Sequence, residues 1–315
     1  MMIRLVLFSE INSKFGFPFL QRLTAHPLVN VVGLVTSPTG KVCPYYVDEV
    51  EQVDLEQEAR RQGIPVFRPA KVNDAALIDT LQSLQADYFL IANYQQIFKS
   101  SLLAVPQIAT INFHPSPLPR YAGWGPFFWM AKYAERLGGV TAIIVNTQID
   151  GGPILAQRSI QLSGTETALE IRQRHFEESF KLLDATIPRL VRGELRATPQ
   201  NLAHRTYFGK PGEQDYQIDW NLDAETVLRT IRAGYRSPGA YALTESGEKF
   251  VILSAERADK RIPAQPGTTL CESSQVFVAV KDGWLHITTI SSEGQEQPLH
   301  YLPGQVAFQV LSHAR

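Results

Sequence analysis

The sequence predicts an α/β fold: a doubly wound, mostly parallel, Rossmann-like sheet followed by a smaller C-terminal β-barrel-like domain. Short, continuous apolar runs alternate with helix-like stretches as far as Gly193, which is typical of strands buried on both faces of a parallel sheet. Beyond Gly193 the sequence is first polar and turn-rich and then rich in strand-like segments. At 315 residues the chain can form two domains. We therefore expect a first domain at 1–193, a linker at 194–220 and a second domain at 221–315.

Five apolar runs of the first domain are predicted strands, and three amphipathic stretches are predicted helices. Their alternation implies right-handed crossovers between parallel strands. Thr165 or Thr167 is the expected N-cap of the last helix, and Gly193 follows its end. The predicted strands are Ile3–Phe8, Asn30–Thr36, Asp87–Ala92, Ile108–Phe113 and Val140–Asn146, and the predicted helices are Leu55–Gln62, Asp74–Leu84 and Thr167–Arg192.

The second domain begins with a predicted helix at Ala224–Ala233 and continues as strands. Val276–Val280 and Trp284–Ile290 flank the dipeptide Asp282-Gly283. Because both of these residues tolerate positive φ, the pattern predicts a β-hairpin.

Composition excludes several classes of protein. The chain has 30 basic and 31 acidic residues, so net charge does not attract it to nucleic acid or to a membrane. Its two cysteines, Cys43 and Cys271, are far apart, which argues against a disulfide framework and favours a reducing compartment. No apolar run approaches the ~18 residues of a membrane helix. We expect a cytoplasmic protein with no membrane partner.

Common cofactor motifs are missing from the sequence. It contains no G-x-G-x-x-G after the first strand, no phosphate-binding P-loop and no G-x-S-x-G nucleophile elbow. Its seven histidines have no zinc-ligand spacing. We therefore predict chemistry without a metal.

Three polar residues form the predicted active site. Asn112 and His114 lie two positions apart near a strand end, so they project from the same face. Asp150 follows the next predicted strand, and Gly151 and Gly152 allow a tight turn there. If the two strands are parallel neighbours, all three side chains meet at the carboxyl edge, where open α/β sheets bind ligands.

An amide, an imidazole and a carboxylate suit the transfer of an acyl group to an amine. The amide can stabilise an oxyanion, the imidazole can move protons near neutral pH, and a carboxylate favours and orients the charged imidazole. With no covalent nucleophile evident, direct attack by the amine is the simpler route. Taken singly, a histidine at a strand end is more often structural and Asp-Gly-Gly is usually a turn, so the interpretation depends on their joint position.

These residues resemble the signature of the folate-dependent formyltransferases, in the branch of the methionyl-tRNA and sugar-nucleotide formyltransferases. His114 and Asp150 are 36 positions apart, as in that family, whereas Pro117 replaces a leucine of its motif. The resemblance covers nearly the whole chain. It rests on Asn112-Phe-His114-Pro-Ser116-Pro-Leu-Pro119, Gly139-Val-Thr141 and Asp150-Gly-Gly152, and in the OB-like second domain on Ile218-Asp-Trp220, Ile231-Arg-Ala233 and Ser237-Pro-Gly-Ala240.

The resemblance implies that 10-formyltetrahydrofolate, or its N5 isomer, is the formyl donor. Asn112 would stabilise the formyl oxyanion, His114 would donate or shuttle the proton, and Asp150 would support His114 and help to deprotonate the amine. Ile97 and Phe98 are equally consistent with core packing. The residues expected to contact the folate are Gln96, Ile97, Phe98, Ser116, Pro117, Leu118, Pro119, Asn146, Thr147, Gln148 and Ile149.

Three features bear on the acceptor. Segment 38–58 has one lysine and six acidic residues, which would repel a phosphate backbone, whereas the tRNA enzymes carry a basic insertion there. The linker sequence 206–220 is more similar to that of the sugar-nucleotide branch. Only Arg120 remains where relatives place several arginines, and Trp124 follows; both are predicted to contact the acceptor, although Trp124 could equally be a packing residue.

We therefore expect a small-molecule amine as the acceptor, such as an amino-sugar nucleotide or a carrier-bound amino acid. Aminoacyl-tRNA ranks second. Hydrolysis of the donor to formate and non-catalytic binding of folate or of an amine are the remaining alternatives.

Overall fold

The structure is a computed structural model that describes residues 2–47, 49–236, 238–292, 295–299 and 308–311. Ser237, part of the resemblance quoted above, lies outside these residues. The chain forms two compact units. The first comprises Met1–Gly123, Leu137–Ile160 and Arg174–Tyr207, and the second comprises Trp124–Arg136, Gln161–Gln173 and Phe208–Arg315.

Seven of the first nine strands form one sheet, in the order β3-β2-β1-β4-β5-β7-β8. The pairs β1–β2, β2–β3, β1–β4 and β4–β5 are parallel. Every residue of β4 is buried, as expected for a central parallel strand. The nine strands are β1 Ile3–Phe8, β2 Val29–Val35, β3 Val66–Phe67, β4 Tyr88–Ile91, β5 Ala109–His114, β6 Ala122–Gly123, β7 Leu137–Ile144, β8 Ile154–Gln161 and β9 Tyr207–Phe208.

One expectation about this sheet is wrong. β7, the strand predicted at Val140–Asn146, pairs with β5 in the antiparallel sense, with His114 opposite Thr141 and Asn112 opposite Ile143. An apolar run reports burial but not strand direction, so the sequence pattern is the same in both cases. Asp150 therefore does not follow the carboxyl end of a parallel neighbour.

The structure contains every predicted helix. It also contains further helices, of which α1 and α5 are the longest. Asp54 caps α2 by accepting a hydrogen bond from Gln57 N. Thr167 and Glu170 bond reciprocally at the start of α6, which is a capping box. Among the described residues, the helices that the sequence did not predict are α1, α4, α5 and α7. The α-helices are α1 Gly16–Ala25, α2 Leu55–Arg61, α3 Ala75–Ser83, α4 Ser100–Leu103, α5 Pro126–Lys132, α6 Ala168–Val191, α7 Glu213–Tyr216 and α8 Ala224–Gly234, with 3₁₀ turns at Pro44–Tyr46 and Leu202–His204.

No helix in the described part of the chain is both long enough and apolar enough to cross a membrane.

The second unit contains a six-stranded antiparallel sheet in the order β10-β11-β14-β13-β12, with β15 paired to β14. Its core includes Trp220, Val278 and Leu285, all fully buried. The structure thus confirms the fold class: a mostly parallel sheet with helices and a separate C-terminal antiparallel sheet. The strands are β10 Ala240–Leu243, β11 Lys249–Ala258, β12 Thr269–Glu272, β13 Gln275–Val280, β14 Gly283–Ser292 and β15 Gln295–Pro298.

The predicted hairpin joins β13 to β14, but its turn is displaced by one residue. Val280 pairs with Gly283, so Lys281 and Asp282 form the turn. The Asp282 carboxylate accepts a hydrogen bond of 2.7 Å from the Ala224 amide at the start of α8. This long-range contact holds Asp282 in the turn, and a rule based on the local sequence cannot predict it.

Candidate active site

Strand β5 brings Asn112 and His114 to one face of the sheet, as their spacing predicts. His114 is buried and Asn112 is half-buried. Asn112 sits between Ile91 of β4 and Ile143 of β7. Its side-chain amide makes no hydrogen bond with any described residue, so this donor is available to a ligand.

The two ring nitrogens of His114 face different partners. Nε2 lies 3.1 Å from the carbonyl oxygen of Tyr121. Because a carbonyl only accepts, Nε2 must carry the hydrogen of this bond. Nδ1 lies 3.7 Å from Oδ1 of Asp150, which is too long for a hydrogen bond. Nδ1 is therefore the nitrogen that can exchange a proton with a substrate.

Asp150 reaches His114 through the turn that joins β7 to β8. Its Oδ2 accepts a hydrogen bond of 2.8 Å from the Gly123 amide. Gly152 permits this turn because a Cβ there would lie 1.8 Å from the Ile144 carbonyl oxygen. The structure thus places the predicted carboxylate beside the imidazole by a route other than the predicted one.

The loop 116–120 is fixed against β7 and β8. Thr141 Oγ1 donates to the Ser116 carbonyl at 2.7 Å and accepts from the Leu118 amide. Gln157 Nε2 donates to the carbonyl oxygen of Leu118 and to Thr141 Oγ1, both at 2.8 Å. The peptide between Leu118 and Pro119 is cis.

Side chains of this loop also pack inward. Ser116 Oγ donates to the Arg120 carbonyl, and Leu118 is buried beside Ile143. Pro117 lies against Gly139, where a Cβ would come within 3.1 Å of the proline. Arg120 Nη2 donates to the Leu137 carbonyl at 2.7 Å. The rigid loop therefore carries four predicted folate contacts on a fixed backbone.

The other predicted folate contacts differ in exposure. Phe98 is buried against Phe8, with ring centroids 4.7 Å apart, so core packing accounts for it. Ile97 is 65% exposed. Gln96 accepts a hydrogen bond from Val72 N.

Residues 146–149 form an exposed loop leading to Asp150. Asn146 Oδ1 accepts a hydrogen bond from the Gln148 amide, and Thr147 and Ile149 are exposed beside them. Trp124, the remaining predicted contact, belongs to the second unit, and its side chain is 44% exposed.

A second polar cluster lies at the carboxyl ends of β1, β2 and β4, and sequence reasoning missed it. The buried carboxylate of Glu10 accepts hydrogen bonds from the Ser37 hydroxyl and, at 2.9 Å, from the Gln95 amide. Burial, and secondly the charge of Glu10, raise the pKa of Tyr94 well above its ordinary value. These residues belong to three loops without a shared motif, so no local signal links them.

Contacts that fix the Asp150 turn were also missed. Gln200 Nε2 donates to the Asp150 carbonyl at 2.8 Å and to the Gly152 carbonyl at 2.7 Å. Arg205 Nη2 donates to the Ile149 carbonyl at 2.7 Å. Both residues lie in the segment predicted to be a linker, whose polar composition gave no hint of such a role.

Among the residues that the structure describes, no group of three or more His, Cys, Asp or Glu side chains could hold a metal ion. Within the part of the chain that the structure describes, the site combines an amide donor on β5 without a hydrogen-bond partner, a histidine whose Nδ1 faces a carboxylate at 3.7 Å, and a rigid loop. Carried on an α/β sheet, these groups define the class of protein: an enzyme that can stabilise an oxyanion and move a proton.

Comparison with known proteins identifies the family. The formyl transferase model matches residues 4–187, and the model of the formyl transferase C-terminal domain matches residues 212–299. A methionyl-tRNA formyltransferase from Roseiflexus castenholzii is 30% identical over 276 residues, covering 88% of this chain and 88% of that protein. The chain therefore belongs to the formyl transferase family and is an N-formyltransferase, as its motifs indicated.

Solved structures share the fold. WlaRD, a sugar 3N-formyl transferase determined in the presence of dTDP and 5-N-formyl-THF, superposes with a TM-score of 0.67 at 17% identity, covering 96% of this chain and 100% of that one. An N-formyltransferase from Helicobacter canadensis, in complex with folinic acid and dTDP-3-aminofucose, gives a TM-score of 0.64 at 16% identity, covering 92% and 100%. At these identities the likeness is evidence for the fold alone.

Proposed function

We propose that this enzyme transfers a formyl group from 10-formyltetrahydrofolate to the primary amine of a small molecule. The observation that carries the proposal is the grouping of Asn112, His114 and Asp150, with the Nδ1 of His114 3.7 Å from the carboxylate. Catalytic contacts of this kind are often longer than hydrogen bonds until the substrate binds.

The site fits a formyl donor. The half-buried amide of Asn112 is a hydrogen-bond donor without a partner among the described residues, and it shares a face with the imidazole. Formyltetrahydrofolate, when bound, supplies the carbonyl carbon that an amine can attack. The exposed residues Ile97 and 146–149, with the rigid loop 116–119, are the proposed contacts for the folate. Two proteins of the same fold were determined with 5-N-formyl-THF and with folinic acid, which supports a formylated folate as the donor.

The three polar residues divide the chemistry among them. Asn112 donates a hydrogen bond to the formyl oxygen as negative charge develops on it. His114 keeps its Nε2 hydrogen on the Tyr121 carbonyl, so Nδ1 accepts the proton of the attacking amine and returns it to the leaving nitrogen. Asp150 stabilises positive charge on the imidazole while that proton is held.

Two features favour a small amine as the acceptor. Trp124 presents a half-exposed indole, which suits stacked or apolar surface better than phosphate. Segment 38–58 contains Lys41 as its single basic residue. An amino-sugar nucleotide or a carrier-bound amino acid meets these conditions.

Methionyl-tRNA is the second candidate, favoured by the 30% identity to a methionyl-tRNA formyltransferase. Local ion pairs weaken one argument against it. Glu56 pairs with Arg60 and Arg68, and Glu58 pairs with Arg61. The acidic residues of segment 38–58 therefore repel a phosphate backbone less than their number suggests.

A panel of amines with labelled 10-formyltetrahydrofolate tests the proposal. We expect label on a small amine, with dTDP-3-aminofucose as the first compound, at a higher kcat/KM than on initiator methionyl-tRNA. Preferred labelling of the tRNA would replace the first acceptor by the second. Rapid release of formate without any amine would establish hydrolysis and contradict transfer.

A further inference from the structure

Residues 198–206, here called the strap, lie in the predicted linker but bind both loops of the candidate site. The strap is anchored by Thr198, which exchanges two backbone hydrogen bonds of 2.8 Å with Ile154 of β8. All of the strap belongs to the first unit, together with His114 and Asp150. A segment that only joined two domains would need none of the contacts that follow.

The far end of the strap holds the loop that precedes β6. The Tyr121 amide donates to Thr206 Oγ1 at 2.8 Å, and the Ala122 amide donates to the Thr206 carbonyl at 3.0 Å. The Thr206 amide donates in turn to the Pro119 carbonyl at 3.3 Å. Thr206 thus bonds to Tyr121 itself, to Ala122 after it and to Pro119 two residues before it.

The middle of the strap holds the Asp150 turn. Gln200 bridges the carbonyls of Asp150 and Gly152, and Arg205 holds that of Ile149, through the three hydrogen bonds described above. These contacts involve the backbone and leave the Asp150 carboxylate facing His114. The strap therefore fixes the turn without competing for the reactive group.

The two residues held most directly share an uncommon backbone conformation. Tyr121 has φ 57° and Asp150 has φ 49°, the left-handed region that side chains other than glycine rarely adopt. Such a conformation persists only where the surrounding contacts enforce it. Thr206 supplies such a contact to Tyr121, and Gln200 supplies one to Asp150.

The conformation of Tyr121 bears on which ring nitrogen of His114 carries the hydrogen. The Tyr121 carbonyl accepts from Nε2, which keeps the hydrogen there and leaves Nδ1 to face Asp150. A relaxed Tyr121 would turn this carbonyl away. A relaxed Asp150 would move the carboxylate from its position 3.7 Å from Nδ1.

We propose that Thr206 and Gln200 are positioning residues for formyl transfer: they hold Tyr121 and Asp150 in the left-handed conformation that fixes the tautomer of His114 and the place of its carboxylate. This inference rests on the proposed function for its kinetic consequence. Its structural consequence, the tautomer of His114, does not depend on any substrate.

The kinetic test uses a matched pair at one position. Thr206→Val removes the hydroxyl that accepts from Tyr121 at nearly constant shape, whereas Thr206→Ser keeps it. We expect kcat to fall about tenfold or more in Thr206→Val, because the variant loses the transition-state stabilisation that one hydrogen bond provides. The Kd of the folate donor should stay unchanged.

Thr206→Ser should restore kcat. Gln200→Leu should behave like Thr206→Val, and Leu202→Ala, on an exposed side chain of the strap, should leave kcat unchanged.

The spectroscopic test measures the imidazole directly. In ¹⁵N NMR spectra, the His114 signals, assigned by their absence from His114→Asn, should show hydrogen on Nε2 in the wild type and a mixture of tautomers in Thr206→Val. An unchanged tautomer in Thr206→Val, or equal losses of kcat in the Val and Ser variants, would overturn the inference. Absence of formyl transfer by the wild type would instead contradict the proposed function alone, because the NMR result needs no turnover.

Discussion

At the residue scale, the side chains of the candidate site have mostly backbone groups as partners. His114 is held by a carbonyl and Asp150 by the Gly123 amide, at 3.1 Å and 2.8 Å. Backbone partners are independent of residue type, so they leave no signature in the sequence. The side chains of the candidate site can be predicted from the sequence, whereas the backbone groups that orient them cannot.

Substitution of the two reactive groups on β5 should reduce activity to different degrees. We expect His114→Asn to lower kcat by more than about 10²-fold, because one general acid–base group contributes roughly 10²–10⁴. Asn112→Ala should cost about 10²–10³ through loss of the oxyanion donor. Both are measured as labelled formyl transfer at saturating donor. His26→Asn, on a half-buried histidine between α1 and β2, is the control. Near-wild-type rates in either site variant would refute the catalytic assignment.

At the element scale, the second unit contains two short helices, α5 and α7, that the sequence pattern does not predict. Helix α5 has one starting signal, Pro126 at its first position. Lys132 at its end donates to the Asp215 carbonyl of α7 and to Thr230 Oγ1 of α8, at 2.8 Å and 3.1 Å. Three helices are thus joined by one ammonium group, and burial lowers the pKa of Lys132. Their packing, rather than their intrinsic propensity, explains why helices of four and seven residues form.

Tyr216, at the end of α7, should make the stability of the second unit sensitive to alkaline pH. Burial, and secondly the charge of Asp215, raise its pKa to about 12, against about 10 for an exposed tyrosine. Since the folded-state value is the higher one, its contribution to stability is complete below pH ~10 and is lost as pH rises through the folded-state value. We expect the free energy of unfolding to fall less steeply over this range in Tyr216→Phe than in the wild type.

Denaturant unfolding at a series of alkaline pH values measures this effect. Tyr133→Phe is the matched control, because Tyr133 lies in the same unit with 54% of its surface exposed. Its pH dependence should follow that of the wild type. Parallel curves for Tyr216→Phe and the wild type would contradict the assignment.

At the scale of the whole molecule, each unit has its own hydrophobic core. Leu81 is fully buried in the core of the parallel sheet and Leu285 in that of the antiparallel sheet. Truncating either leucine to alanine should destabilise its own unit by about 2–5 kcal/mol. In calorimetry we expect Leu81→Ala and Leu285→Ala to lower different parts of the unfolding profile. An identical shift of the entire profile by both variants would show instead that the chain unfolds as one cooperative unit.

The sequence by itself determined the fold class and most strands of the parallel sheet, and it predicted the three residues of the candidate site. These features are predictable because burial produces a local sequence pattern: buried strands are apolar runs. Asn112 and His114 share a face because side chains of a strand alternate with a period of two residues. The motif that carries them was specific enough to indicate the family, which the comparisons confirmed. Their roles in catalysis stay a prediction for the variants above.

The tertiary structure alone decided strand direction and the positioning of the site. The antiparallel pairing of β7 with β5, the turn that brings Asp150 to His114, and the bonds from Gln200 and Thr206 all join residues distant in the chain. Such contacts form between backbone groups and depend on where the chain returns in space. A polar, turn-rich segment such as 198–206 therefore has the sequence of a linker while it bonds to two loops of the candidate site.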